Sequence, residues 1–311
     1  MVSRMTKQQW ANLHPNVKRG VYAAQENMKV VDGKAFNAEG RDITHMVEVV
    51  PKTTDKQIRG LQAIDDLSAH EIDNGGFVFA FFKQSRTIVE RFPTLTQQDT
   101  ARLMFIGTYV AWENGRLQYE NGRYINKKAL EKMVDMSTKH FNLFFKRLEA
   151  EDIIREDVET GDITINPSVF YRGSIKEIGF DVSHLTYSRL FRDTVRKLYS
   201  QFKGRTLGQL ALIYSVMPFL SFNTNIVCYN PEEKDGERIR PMDLDKLSVL
   251  LGYENPQKLK RALNSVKVED KPVFGFFENV NDRRKLRVTV NPRVIYNGNG
   301  KGLDVLLAQF N

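Results

Sequence analysis

A single cysteine, Cys228, stands in 311 residues, which excludes an intramolecular disulfide and any cysteine-rich zinc site. A lone cysteine of this kind is read as a small core residue. Five histidines, His14, His45, His70, His140 and His184, are scattered without paired or HExxH spacing, so no metal centre is expected. No apolar run approaches the roughly 20 residues needed to cross a bilayer. The opening MVSRMTKQQWANLH carries no apolar stretch, so a cytoplasmic protein without a membrane partner is expected. The nearest approach to a phosphate loop, Gly298-Asn299-Gly300-Lys301-Gly302, lacks the first glycine and the Ser or Thr after the lysine. A rolling-circle nickase would need clustered histidines beside a tyrosine, and the adjacent Asp65-Asp66 pair is read as helix surface. No enzyme activity, catalytic residue or cofactor is therefore expected.

What is present is an ordinary globular composition, 41% hydrophobic and 27% charged, with net charge +8. The excess is concentrated. From Pro256 to Gly302 there are eleven Lys/Arg against four Asp/Glu. Clustered basic charge is the footprint of a phosphate-binding surface.

A weak internal repeat organises the chain. Asn166-Pro167-Ser168-Val169-Phe170-Tyr171-Arg172-Gly173 returns 125 residues later as Asn291-Pro292-Arg293-Val294-Ile295-Tyr296-Asn297-Gly298, with five of eight positions identical. Each copy is preceded by the same succession of patterns. In the first, KKALEKMV reads as a short helix and Asp135-Met136-Ser137 as a turn. A second helix follows, carrying Phe141, Phe144, Phe145 and Leu148 at i, i+3, i+4 and i+7. In the second, MDLDKLSVLL is followed by Gly252. Asn255 is then placed to cap a helix that starts at Pro256 and carries Leu259, Ala262, Leu263 and Val266 at the same spacing. Strand-turn-strand signals come next: Ile153-Ile154 through Glu159-Thr160-Gly161-Asp162 to Ile163 and Ile165, and VFGFF through Asn279–Asp282 to Leu286, Val288 and Val290. TARLMFIGTYVAW and LGQLALIYSVMPFL are expected as leading helices.

Helix, turn, helix and β-hairpin in that order, occurring twice, predict an α+β and mostly helical chain with tandem winged-helix domains. The expected boundaries are an N-terminal extension over 1–75, a first winged-helix domain over 76–173, a basic connecting helix over 174–206, a second domain over 207–302 and a tail over 303–311. Within the extension, VVDGKAF carries a tight hairpin signal at Asp32-Gly33, and HMVEVV is a second strand-like run.

The stretch from GGFVFAFF through YINKKALEKMVDMSTKHFNLFFKRLEAEDIIRED to NPSVFYRG resembles the RepL-type replication proteins of Firmicute plasmids and their phage relatives, which contain a MarR-like winged helix. NIVCYNPEEKDGERIRPMDLDKLSVLLGY and VTVNPRVIYNGNG resemble a domain of related phage and mobile-element proteins. Together these cover roughly residues 75–302. The resemblance implies double-stranded DNA as partner and a role in plasmid or phage replication. A MarR-like transcriptional regulator and a module of protein contacts are the alternatives.

A recognition helix buries its apolar stripe and turns the opposite face to the major groove. In the second unit that face carries Gln257, Arg261 and Asn264, flanked by Lys258 and Lys260. In the first it carries Lys139, Leu143 and Lys146, with Asn142 on the flank. Arg, Gln and Asn make bidentate contacts with base edges, whereas leucine reads at most a thymine methyl. The hairpins differ too. Glu151 to Ile165 holds six acids and one base, Arg155, whereas the second hairpin holds Arg283, Arg284, Lys285 and Arg287. Phosphate repels the first and attracts the second. The second unit is therefore expected to dominate DNA contact. The first is read either as binding DNA through its helix or as holding a partner, whether a host replication or transcription protein or a second copy of the chain.

Overall fold

The computed structural model describes residues 11–26, 28–45, 54–83, 87–278 and 286–311. It is an α+β structure with small antiparallel sheets, and it divides into Met1–Ile58 and Arg59–Asn311. No helix among the described residues is long and apolar enough to cross a membrane.

The smaller unit holds α1 (Pro15–Glu26) and the hairpin of β1 (Lys29–Val31) with β2 (Lys34–Phe36). Asp32 and Gly33 both have positive φ, 47° and 77°, which gives the two-residue turn its hand. Residues 46–50 of the strand-like HMVEVV run lie outside the described residues.

The larger unit begins within α2 (Asp55–Asp73) and is built on a four-stranded antiparallel sheet ordered β12-β7-β3-β6. The strands are β3 (Phe77–Phe82), β6 (Phe170–Tyr171), β7 (Thr186–Phe191) and β12 (Ile295–Tyr296). Alternation divides β3 between two cores. Val78, Ala80 and Phe82 join the main core, and Phe79 and Phe81 pack with Tyr171, Ile175, Ile178, Val182 and Leu185 on the other face.

The expected connecting helix over 174–206 is corrected here. Residues 174–185 cover the second face of the sheet, 186–191 form β7, and the α-helix is confined to Arg192–Gln201 (α7). The stretch TYSRLF is rich in β-forming side chains, and burying β3 on both faces demands a neighbouring strand and an apolar cover.

The sheet is where the two copies of the repeat meet. Phe79 pairs with Arg189 at its centre, Tyr171 pairs with Phe79, and Tyr296 pairs with Arg189, so the same tyrosine of the repeated motif stands at either end of one row of the sheet. The hydrogen bonds recur as well. Asn166 O accepts from Val169 N at 2.8 Å and Asn291 O from Val294 N at 2.9 Å; the side-chain oxygens of these asparagines accept from Ser168 N and Arg293 N at 3.0 and 2.9 Å. Val169 O and Val294 O accept from Phe81 N and Phe191 N, each at 3.0 Å. The shared Tyr-x-Gly of the motif has a steric cause: a Cβ on Gly173 or Gly298 would lie 2.8 or 2.2 Å from the hydroxyl of Tyr171 or Tyr296.

Around the sheet the elements repeat in order. After β3 and the short α3 (Ile88–Arg91), α4 (Gln97–Gly107) begins at a Thr96–Asp99 capping box and ends earlier than the expected TARLMFIGTYVAW, because Val110 bridges Leu117. Then come α5 (Lys127–Met133), capped by Asn126, and α6 (Thr138–Ala150). The hairpin of β4 (Ile154–Glu156) and β5 (Ile163–Ile165) follows, with Arg116 bridging Thr164 as a third edge.

The second half follows β7 and α7. LGQLALIYSVMPFL is broken into a 3-10 turn (Gly204–Leu210), α8 (Ala211–Val216) and a second 3-10 turn at Met217–Phe219, where Pro218 cannot continue an α-helix. Leu220 bridges Val227 as Val110 bridges Leu117. Next are α9 (Leu244–Leu250) and α10 (Pro256–Ser265), the latter capped by the Asn255 side chain accepting from Lys258 N. The chain between the paired helices turns through Asp135 at φ 51° in one half and Gly252 at φ 71° in the other. The small hairpin of β8 (Lys267–Val268) and β9 (Lys271–Pro272) is an addition of the second half. Then β10 (Phe274–Glu278) pairs with β11 (Leu286–Val290), and Ile226 bridges Thr289 as Arg116 bridges Thr164. The chain ends with α11 (Leu303–Ala308).

Candidate nucleic-acid interface

On α10, Leu259, Leu263 and Val266 are buried and Ala262 packs beside them, which turns Gln257, Arg261 and Asn264 outward. Lys258 is also exposed and pairs with Glu254 one turn before it. Lys260 lies lower on the flank, half-buried, with its ammonium 5.6 Å from the ring centre of Phe276 in β10. The helix and its hairpin thus share one surface. Arg261 forms no ion pair among the described residues, so its five donors are available to an acceptor from outside. Arg283, Arg284 and Lys285 of the hairpin tip lie outside the described residues. Arg287 is within β11, half-buried, opposite Phe277.

On α6 the corresponding face carries Lys139, Asn142 and Lys146, all exposed, with Leu143 49% exposed between them. Phe141, Phe144, Phe145 and Leu148 form the buried stripe beneath. A leucine in the middle of this face has little capacity to read base edges.

The acids of the first hairpin are largely engaged within the protein. Asp162 pairs with Arg116 at 3.1 Å, Glu156 with Lys127 at 3.4 Å and Asp152 with Arg155 at 2.9 Å. Glu151 Oε1 accepts from Thr94 N at 2.8 Å. Asp157 accepts from the backbone N–H groups of Thr160 and Glu159 in the tight turn, and these bonds hold its carboxyl below the usual carboxylate range. The negative count read from the sequence therefore overstates the field at the surface, since Arg116 and Lys127 bring opposing charge from other segments.

Arginines of the segment expected as a basic connecting helix make contacts within the protein: Arg189 pairs with Glu71 at 3.2 Å, and Arg192 and Arg196 form a cluster. Arg192, buried, donates from Nε to Thr108 O at 2.8 Å. Arg196 donates from Nη2 to the same oxygen at 2.7 Å and from Nε to Thr108 Oγ1 at 3.0 Å. Both pair with Glu120. Burial works to raise the Glu120 pKa, but the bond from Arg196 and the charges of Arg192, Arg196 and Arg172 bring it below its ordinary value. The only sequence signal for this cluster was arginine at 192 and 196, i and i+4 on one helix, with their carboxylate 72 residues upstream.

A second hidden pair fixes α6. Asp99, 1% exposed, accepts from Arg147 Nε and Nη2, both at 3.0 Å. At the equivalent place in the second half, Gln209 Oε1 accepts from Ser265 Oγ at 2.9 Å and ties down α10. Both outward helices are thus anchored at their C-terminal ends to the leading helical segment, one by charge and one without. No protein-family model, no curated protein and no solved structure matches the chain.

Proposed function

We propose that the chain is a sequence-specific double-stranded DNA-binding protein made of two winged-helix units, acting as a plasmid or phage replication initiator. The observation that carries this reading is the outer face of α10. Gln257, Arg261 and Asn264 stand together on the exposed side of a capped, well-anchored helix. These are three of the side chains suited to base edges. Lys258 and Lys260 flank them, and the basic hairpin sequence Arg283-Arg284-Lys285 follows in the same unit. In this reading α10 enters the major groove and the hairpin tip grips the adjoining backbone.

For the first unit, exposed Leu143 and the hairpin acids that have no ion pair among the described residues, such as Asp157 and Glu159, favour a contact with protein, either a host replication factor or a second copy of the chain. The alternative role, transcriptional control, uses the same DNA-facing surface. Mapping where the protein sits on its replicon separates the two. A single site at the origin is expected; occupancy confined to promoters would transfer the assignment to a regulator. Binding to no duplex even at low salt would leave only the protein-contact reading.

A further inference from the structure

Just after α4 the chain is tied to the repeated motif. Glu113 N donates to Arg172 O at 2.7 Å, and Ile165 N donates to Gly115 O at 2.8 Å. These bonds hold Trp112 on a turn where it is 59% exposed, although tryptophan is ordinarily a well-buried side chain. The Arg172 guanidinium lies 5.8 Å from its ring centre, within range of attraction to the indole face.

Arg172 is half-buried and makes no ion pair and no side-chain hydrogen bond among the described residues. None of its nitrogens is sealed from solvent, so the guanidinium can be reached. Its neighbours add to the positive charge. Burial lowers the Arg172 pKa, Glu120 works against that and Arg196 adds to it. Burial likewise lowers that of Arg192, and Arg172 and Arg196 lower it further. Glu120, the carboxylate facing them, is already paired with Arg192 and Arg196. Three guanidinium groups thus stand around one counter-charge, and an anion at Arg172 would relieve their repulsion. Glu113 does not supply it: burial raises the Tyr171 pKa, and the charge of Glu113 bears on that hydroxyl.

The repeat supplies an internal control. Leu220 bridges Val227 as Val110 bridges Leu117, and Tyr229 N donates to Arg240 O as Tyr119 N donates to Arg123 O. Trp112, Glu120 and Arg172 therefore correspond to Phe222, Asn230 and Asn297 of the second half. The same framework is built there without the indole and without either charge, so packing alone does not call for them.

We infer that Trp112 and Arg172 form a site for single-stranded nucleic acid, with an unpaired base stacked on the indole and the adjoining phosphate taken by Arg172. A duplex keeps the faces of its bases inside its own stack, so an indole platform suits a strand whose bases are unpaired. Arginine offers the planar, paired donors that phosphate accepts. The inference goes beyond the duplex-binding reading and uses no residue of α6 or α10, so either can fail without the other.

Titration of the full chain with labelled oligothymidylate and oligouridylate of about 12 nucleotides, read by anisotropy and by tryptophan emission, decides it. Binding with quenching is expected, and the tighter of the two probes names the strand. Trp112→Ala should weaken binding about tenfold and abolish the quenching. Arg172→Asn, which installs the residue of the second half, should weaken it about fivefold or more. The same oligothymidylate in a blunt duplex should lose its dependence on both side chains. If one variant does not fold, the other carries the test. The inference is overturned by no binding of either probe up to about 100 μM, by unchanged affinity in the folded variants, or by an equal dependence on the two side chains with the blunt duplex. An oligoglutamate of the same length binding as tightly would also overturn it, by assigning the surface to an acidic protein segment.

Discussion

The clearest consequences at the scale of single residues come from the two ways in which the outward helices are anchored. Asp99 is buried and serves Arg147 through two hydrogen bonds, so Asp99→Ala leaves a guanidinium without its counter-charge and also removes the capping box of α4. Breaking one side of such a pair costs about 3 kcal/mol or more. Ser265→Ala breaks the uncharged counterpart at an exposed position and should cost about 1 kcal/mol or less. Chemical denaturation of both variants measures the contrast, and equal losses would mean that the charge of the first anchor adds nothing to its hold. His70 gives a pH-dependent term. It is buried, with Nε2 3.0 Å from the carbonyl of Pro292 in the repeated motif. Burial pushes its pKa below the ordinary value, and the charge of Arg293 adds to this. The neutral ring is therefore the form the fold accepts. Its contribution is full above the unfolded value of about 6.5 and is lost as pH falls from there through the lower folded value. Between about pH 7.5 and about pH 5, His70→Gln should lose less stability than the parent protein. An identical pH dependence in the two would exclude this role.

At the scale of elements, the two hairpins make the sharpest contrast. If the tip of the second grips phosphate, replacing Arg283, Arg284 and Lys285 together removes up to three contacts. The slope of log affinity against log salt should then fall by up to about 3, at roughly 0.9 per phosphate. Reversing acids of the first hairpin, Asp157→Lys with Glu159→Lys, should leave binding unchanged or tighten it. A salt titration on one duplex measures both. Loss of binding in the first variant with a full salt slope in the second would reverse the assignment of the contacting unit. The elements were largely legible in the sequence because their signals are local. The paired helices, the Asn255 cap, the turns at Asp135 and Gly252 and both hairpins lie where periodicity and turn chemistry put them. The 174–206 segment was not legible. Its basic residues suggested a connecting helix, whereas the need to cover β3 drew Thr186–Phe191 into the sheet, and Arg192 and Arg196 pair with Glu120.

Within the larger unit, the sheet ties the two repeats together through the pairing of β3 with β7, so both outward helices stand on one framework. Their faces differ: Gln257, Arg261 and Asn264 on one, Lys139, Leu143 and Lys146 on the other. A chain that reads DNA this way should read unlike half-sites with unlike stringency. Arg261→Ala should cost roughly 1–3 kcal/mol on the cognate duplex and relax preference at one base pair of the α10 half-site. Leu143→Ala should change base preference little, because lysine contacts to phosphate carry no sequence information. A base-by-base scan of the site with both variants tests this. An equal loss for Arg261→Ala on cognate and random DNA would reduce that residue to a phosphate contact.

The sequence by itself determined the repeat, the paired helices with their apolar stripes, the hairpins and the concentration of basic charge after Pro256. Each follows from spacing, capping and turn residues, and all of these act within a few positions along the chain. Only the tertiary structure decided that the two repeats share one sheet, centred on the pairing of Phe79 with Arg189. It also decided that acids of the first hairpin meet Arg116 and Lys127, and that Arg147 is taken by Asp99. The physical reason is common to all of these. A charge or a strand finds its partner across tens of residues of sequence, and which partner it finds depends on the burial that the assembled core imposes.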